Sequence, residues 1–449
     1  MTAGLAEAGR RSLADLASAV ARTAARLPLV RATGRVSAVT AQAVQVEGLS
    51  RFVQIGGLVA ITSDGRELLA EVVRLERLTI AVRLLDGNCR VMLGSPAWPA
   101  GPLHLWPHDS WKGRLINGLG EAIDGGPALE LGSDAVLPSQ LPPDAMSRQP
   151  VTAPVTTGVK AMDIFTPLCL GQRIGIFAGS GVGKSSLLTM LARTEGFKTV
   201  VVALVGERGR EVRDFVGGMP GDTAGKTIIV VSTGDESAAM RRLAPLSAMG
   251  VAEYFRDRGD DVLLIMDSVT RYAHACRDVA LSAGEPPVAR GYPPSVFGDL
   301  PKLLERAGPG SAGTGSITGV FAVLVDGDDH NDPVADAIRG TLDGHIVLDR
   351  AIAQGGRYPA IDLLASLSRL SHRAWTPDQR KAVVELRKLV ARFEESRDLR
   401  SVGGYQKGAD EELDRAVAIV PRLYQALCQG LDDRPSRDAF RDIADCLTK

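Results

Sequence analysis

Aromatic residues are scarce in this sequence. Phe, Trp and Tyr together make up 4% of 449 residues, which leaves the core to Ala, Val and Leu. An excess of either charge is missing too. Lys plus Arg number 52 and Asp plus Glu 53, a net charge of −1, which argues against a protein built for electrostatic capture of nucleic acid or an anionic membrane. The five cysteines (Cys89, Cys169, Cys276, Cys428, Cys446) are widely spaced without a C-x-x-C, and the six histidines are scattered. Neither a disulfide framework nor a structural zinc site is expected, and a reducing cytoplasm is the natural compartment. No run of 18 apolar residues exists, so no membrane span is expected. The N-terminus lacks the apolar core of a secretory signal. Its Arg/Ala/Ser composition leaves an organellar transit peptide as an alternative, against which Glu7 and Asp15 stand. No internal repeat is visible.

What is present is ordinary globular material, 45% hydrophobic and 23% charged. The length suits about three domains at roughly 150 residues each. Residues 1–27 read as one amphipathic helix with Leu13, Leu16, Val20 and Leu27 at helical spacing, closed by Pro28. Two readings of it stand: a solvated terminus, or a docking helix for a partner or a membrane surface. Residues 28–97 change to period two. Short runs at 35–40, 43–47, 58–62, 68–75 and 79–85 alternate with turns, as in a small closed β-barrel. The proline-rich stretch 98–107 reads as a linker opening the next domain, 98–375.

In that domain, solid apolar runs at 174–177, 200–205, 228–231, 262–266 and 320–325 alternate with helical segments. Strands apolar on both faces predict a mostly parallel sheet covered on both sides. The fold class is therefore α/β: an N-terminal small β-barrel, a central P-loop domain and a C-terminal helical domain, 376–449. There Thr376 and Pro377 start a helix with Val383, Leu386, Leu389 and Phe393 on one face. A second helix carries Leu413, Val417, Tyr424 and Leu427, with a break or kink expected at Pro421. A third, capped by Ser436, carries Phe440, Ile443 and Leu447.

The sharpest chemical signal is Ala178-Gly179-Ser180-Gly181-Val182-Gly183-Lys184-Ser185-Ser186, between a predicted strand and a predicted helix. Glycines there let backbone N–H groups converge on phosphate oxygens, and the helix N-terminus adds positive potential. Lys184 would reach the β- and γ-phosphates of ATP, and the Ser185 hydroxyl would ligate Mg²⁺. Ala178 departs from the usual first glycine of this motif. A second apolar strand ends in Asp267, which would hold the same Mg²⁺ from the other side. Because Asp267 is followed by Ser268, the base for water comes from elsewhere. Glu207 ends a third apolar strand and is assigned that role, against the alternative of a surface ion cluster with Arg208 and Arg210.

Ala178–Ser185, Gly206-Glu207-Arg208, Asp267-Ser-Val-Thr-Arg271 and Pro359-Ala-Ile-Asp-Leu-Leu-Ala-Ser-Leu-Ser368 resemble the catalytic chain family of rotary ATP synthases. Within it, Gly206–Val212, Pro293–Phe297, Leu300-Pro301 with Glu305–Gly308, and Leu342–Leu348 look most like the ATPases of type III protein export, flagellar or virulence-associated. The resemblance covers about residues 30–449 and implies a RecA-like central domain. It also implies that Arg369 is an arginine finger acting on a neighbouring subunit, that Tyr358 stacks on adenine, and that Arg208 and Arg271 belong to the catalytic set. A second adenine contact falls near Tyr405. Asp328–Pro333 resembles a loop touching a central stalk protein, with a solvated acidic loop as the alternative. The partners so implied are a homohexamer, a stator-like regulator at the N-terminal helix, the export gate, chaperones and exported proteins. The chain would then be cytoplasmic and peripheral at the inner face of the cytoplasmic membrane.

One chain holds both the P-loop with Glu207 and a candidate trans-acting arginine, so a closed ring of identical chains is the simplest assembly. The flagellar export ATPase is the preferred reading. A virulence secretion ATPase and a rotary synthase catalytic chain are the alternatives in the same fold. An RNA-translocating helicase of similar layout would need a basic, aromatic face, and 30–95 offers only Phe52. A purely structural ring would not need Lys184, Glu207 and Asp267 together. No nucleic-acid partner is expected.

Overall fold

A computed structural model describes residues 31–40, 43–87, 90–151, 153–325 and 332–448. The proposed helix 1–27 and residues 328–331 of the acidic loop lie outside these. Two compact units form, one from the described residues up to Leu84 with 90–101, the other from Leu85–Gly87 with Pro102 onward.

The first unit is a closed six-stranded barrel in the order β1-β2-β5-β4-β3-β6. Its strands are β1 (Gly34–Val39), β2 (Val44–Glu47), β3 (Leu58–Ser63), β4 (Arg66–Leu75), β5 (Thr79–Leu84) and β6 (Pro96–Gly101). Val36, Val44, Val46, Val59, Ile61, Val72, Ile80 and Val82 fill it. The stretch read as a linker thus opens with a strand. Two prolines hide β6 in the sequence, yet it pairs with both β1 and β3 and so covers the two edges that would otherwise stay open. It also brings Trp98 into the unit, where the Arg31 guanidinium lies 3.9 Å over its ring, so that face is no free stacking platform.

The second unit is built on a nine-stranded, mostly parallel sheet. In chain order the unit's strands are β7 (Leu115–Ile116), a small pair β8 (Pro154–Val155) and β9 (Leu168–Cys169), β10 (Arg173–Ala178), β11 (Thr199–Glu207), β12 (Thr227–Thr233), β13 (Val262–Asp267), β14 (Gly308–Pro309), β15 (Ser316–Leu324), β16 (Gly344–Leu348) and β17 (Leu367–Ser368). The spatial order is β17-β16-β10-β15-β13-β11-β12-β7, with β14 paired to β15. All nine residues of β11 are buried. Val200, Val202 and Leu204 pack into one core, while Val201, Ala203 and Val205 pack into the other. That two-sided burial is why the strand reads as an unbroken apolar run. The first of these cores also takes in Val383, Leu389, Val420, Leu423 and Ile443 from the C-terminal helices. The expected α/β architecture with an N-terminal barrel and C-terminal helices is borne out.

Two details of the helical region refine the expectation. Of the break or kink expected at Pro421 the break does not occur, since the helix Glu411–Leu427 runs through it. Pro421 is exposed, so solvent can hydrate the carbonyl left without its N–H partner. The last helix, Ala439–Thr448, is capped not by Ser436 but by Asp438, whose Oδ1 accepts the Arg441 N–H at 3.1 Å. Ser436 is buried and donates to Asp442 Oδ2 at 2.6 Å. Among the described residues no helix is long and apolar enough to cross a membrane.

Candidate active site

Parallel strands deliver their C-terminal ends to one edge of the sheet, where β10, β11 and β13 release the P-loop, Glu207 and Asp267. Ala178 is still strand, in register with Leu324 and Leu348, and 1% exposed. A position with β geometry has no need of glycine, which accounts for the departure from the motif. Gly181 (φ 78°) and Gly183 (φ 93°) adopt the left-handed conformation that the loop turns on. Val182 between them is buried and anchors the loop, while Ser180, Ser185 and Ser186 face solvent. Gly183 is also the N-cap of the helix Lys184–Ala192 and offers no side-chain cap. The first-turn N–H groups are left available to an anion.

Lys184 Nζ contacts Asp267 Oδ1 and lies 3.9 Å from Glu207 Oε1. Asp267 and Glu207 are 4% and 5% exposed, so the ammonium is what makes two buried carboxylates tolerable. Glu207 also receives Arg271 Nη2 at 3.2 Å. Arg271 is aimed by local structure: Ser268 caps the helix Val269–Ser282 by accepting the Arg271 N–H, and Arg271 Nη1 donates to the Gly206 carbonyl. Gly206 has φ 67°, and a Cβ there would lie 2.9 Å from Arg271 Cδ. Arg271 Nε is buried and has no hydrogen-bond partner among the described residues, a donor suited to a further anion.

Burial pushes the Glu207 carboxyl up to about 7. A hydrogen bond to Glu211 and the Asp267 charge act the same way, against Lys184 and Arg271. Glu211 is held below its ordinary value, chiefly by that same hydrogen bond. As pH falls, Glu207 is therefore the carboxyl of the pair that takes up a proton first. The surface cluster with Arg208 and Arg210 does not form around Glu207. Arg208 is exposed, and Arg210 pairs instead with Asp214 at 3.5 Å.

Tyr358 is 44% exposed, with its ring 3.4 Å from where a Cβ on Gly183 would sit. Tyr405 lies apart in the helical region, its hydroxyl donating to Asp414 Oδ1 at 2.6 Å. Arg369 is exposed and follows β17, whose Ser368 pairs with Gly344 at the start of β16. Because β16 runs parallel to β10, Arg369 sits at the edge opposite the P-loop. Its backbone N–H donates to the Asp343 carbonyl at 2.9 Å. Asp332, at the end of the acidic loop, caps the helix Pro333–Thr341. Ser268 and Gly206, not singled out from the sequence as contributors, both aim Arg271 at Glu207, and Gln429 bonds the Tyr358 carbonyl through its backbone N–H. Ser268 was legible as a helix cap. Gln429 was not, because its partners lie 269 and 271 residues away.

Residues 158–368 match the nucleotide-binding domain of the ATP synthase alpha/beta family, and 375–442 match the T3SS EscN ATPase C-terminal domain. A flagellum-specific ATP synthase of Rhizobium meliloti is 52% identical over 436 residues, 97% of this chain and 93% of that one. One from Salmonella typhimurium is 41% identical over 433 residues, 91% of this chain and 92% of that one. Among solved structures, the assembled ATPase EscN of the enteropathogenic E. coli type III secretion system superposes with a TM-score of 0.85 at 38% identity, covering 92% of this chain and 100% of that one. EscN in complex with its central stalk EscO gives 0.84 at 37% over the same shares. With its P-loop, both domain matches and half of all residues shared along nearly the whole length, the chain belongs to the ATP synthase alpha/beta family, in the branch that carries the type III secretion ATPase C-terminal domain.

Proposed function

We propose that this chain is the ATPase of a flagellar type III protein export apparatus, hydrolysing ATP at interfaces between copies of itself in a homohexameric ring. The observation that carries the chemistry is the convergence of Lys184, Glu207, Asp267 and Arg271 beside a glycine loop at the C-terminal edge of a parallel sheet. The flagellar assignment draws on relatives of that name at 52% identity, against 38% for the virulence-system EscN.

The loop N–H groups and Lys184 bind the phosphates, and Arg271 offers a further donor toward the γ-phosphate. Ser185 and Asp267 would hold Mg²⁺. One hydroxyl and one carboxylate suit an ion that takes its remaining ligands from phosphate and water, and among the described residues no group of three or more acidic, His or Cys side chains is arranged to hold a metal ion. When bound, that ion neutralises charge on the phosphate oxygens. Glu207, once ionised, orients water in line with the γ-phosphate and takes its proton. Arg369 of a neighbouring copy stabilises the charge that develops there.

Residues 1–27 would receive a stator-like regulator and a peripheral hold at the cytoplasmic membrane, and 328–333 the central stalk. Chaperones, exported proteins and the export gate complete the partners. The purified chain should turn over ATP, and Lys184→Ala should not. A chromosomal Glu207→Gln exchange should stop filament assembly at normal protein level. Intact filaments with loss of virulence secretion would transfer the chain to the other export system.

A further inference from the structure

Gln429 is 5% exposed in the segment between the helices Glu411–Leu427 and Ala439–Thr448. Its side-chain amide is engaged at both ends. Oε1 accepts the Lys160 N–H at 3.1 Å, and Nε2 donates to the Gly158 carbonyl at 2.8 Å and to the Arg434 carbonyl at 3.5 Å. Its backbone N–H donates to the Tyr358 carbonyl at 2.8 Å. The same segment is tied down twice more: the Ser436 N–H reaches the Gly158 carbonyl at 3.0 Å, and Arg193, at the end of the P-loop helix, donates to the Leu431 carbonyl. Tyr358 is thus gripped by its backbone on one side, while its ring lies beside Gly183 on the other.

We propose that Gln429 is a positioning residue for nucleotide binding, its buried amide holding the Tyr358 ring at the height above the P-loop where the purine stacks. This rests on the reading of Tyr358 as the base-stacking residue. The amide acts through the backbone. Truncating it leaves the Gly158 carbonyl and the Lys160 N–H without this partner in a buried place, so the segment shifts to satisfy them and carries the Tyr358 carbonyl with it. Base affinity then depends on how the C-terminal helices sit, while phosphate affinity, which belongs to the loop and Lys184, does not.

Equilibrium titration of the full chain with ADP and with pyrophosphate, each with Mg²⁺, separates the two, because pyrophosphate has no base and neither is hydrolysed at this site. Gln429→Ala should weaken ADP by roughly three- to thirtyfold, inside the span of coupling seen within one network, and leave pyrophosphate within about twofold. In a Tyr358→Ala background the same exchange should cost nothing further. Gln429→Glu keeps the side-chain volume and the acceptor for Lys160, but sets an oxygen against the Gly158 carbonyl. It should move the same way, and it serves if the alanine variant melts early. Equal weakening of ADP and pyrophosphate, or an unchanged ADP affinity, would overturn the role of Gln429. If Tyr358→Ala itself leaves the ADP-to-pyrophosphate ratio untouched, the base-stacking reading of Tyr358 fails instead.

Discussion

At the scale of single residues, the pair Glu207 and Glu211 sets how the site answers to pH. A base must be ionised to accept a proton, and the Glu207 carboxyl is pushed up to about 7 from an ordinary 4.5. It is therefore charged and competent above 7 and neutral below. The profile of kcat/KM, which reports the free enzyme, should fall about tenfold per pH unit on the acid side of a midpoint near 7. Removing Glu211 removes a contact that raises Glu207, so Glu211→Ala should move the midpoint down. A profile flat from pH 6 to 8 in the unaltered chain would remove Glu207 as the titrating base. Glu207→Gln keeps the shape and loses the carboxylate. It should bind ATP normally and lose turnover by roughly 10²–10⁴-fold.

At the scale of elements, the active site depends on how strands and helices end. The end of β11 bulges at Gly206 against β12, and only glycine suits both its φ of 67° and the approach of Arg271. Gly206→Ala should displace Arg271 and lower turnover with little loss of secondary structure. Gly209→Ala, with nothing within 4 Å of the added carbon, is the matched control and should be near neutral. Equal activity of the two in a steady-state assay would show that Arg271 can be displaced without cost. Far from the chemistry, Thr376 and Gln379 form a capping box on the helix Pro377–Glu395. Thr376→Ala should lower unfolding free energy by about 1 kcal/mol in denaturant titration and leave ATP affinity unchanged.

At the scale of the whole molecule, one chain carries the P-loop and Arg369, the candidate arginine finger, on opposite edges of its sheet. Ser368 pairs with Gly344 one residue before the level of Gly175, and the P-loop begins beyond Ala178. At ~3.3 Å per residue that is on the order of 13 Å of strand before the loop itself. Arg369 is thus badly placed to serve its own P-loop, which supports action on a neighbour. Activity per chain should rise with protein concentration as rings form. Arg369→Ala should flatten that rise while isolated chains still bind nucleotide. Mixed rings of Arg369→Ala and Lys184→Ala chains contain some interfaces with both parts intact, so partial activity should return. No recovery in rings confirmed as mixed by mass would sink independent firing in trans.

The sequence by itself determined what depends on near neighbours in the chain. The buried strands were legible because a strand covered on both faces must be apolar throughout, and β10 to β13 and β15 read as such. The glycine loop, Lys184 and the acids ending β11 and β13 were legible because a motif of that kind is strung along a few residues. Strand β6 was not, since its prolines mask a role that only pairing with two distant strands reveals. The position of Arg369 across the sheet from the P-loop, the raised carboxyl of Glu207 beside Glu211, and the hydrogen bond from the Gln429 N–H to the Tyr358 carbonyl were decided by tertiary structure. Each depends on groups brought together from far along the chain, or on burial that changes how a familiar side chain behaves.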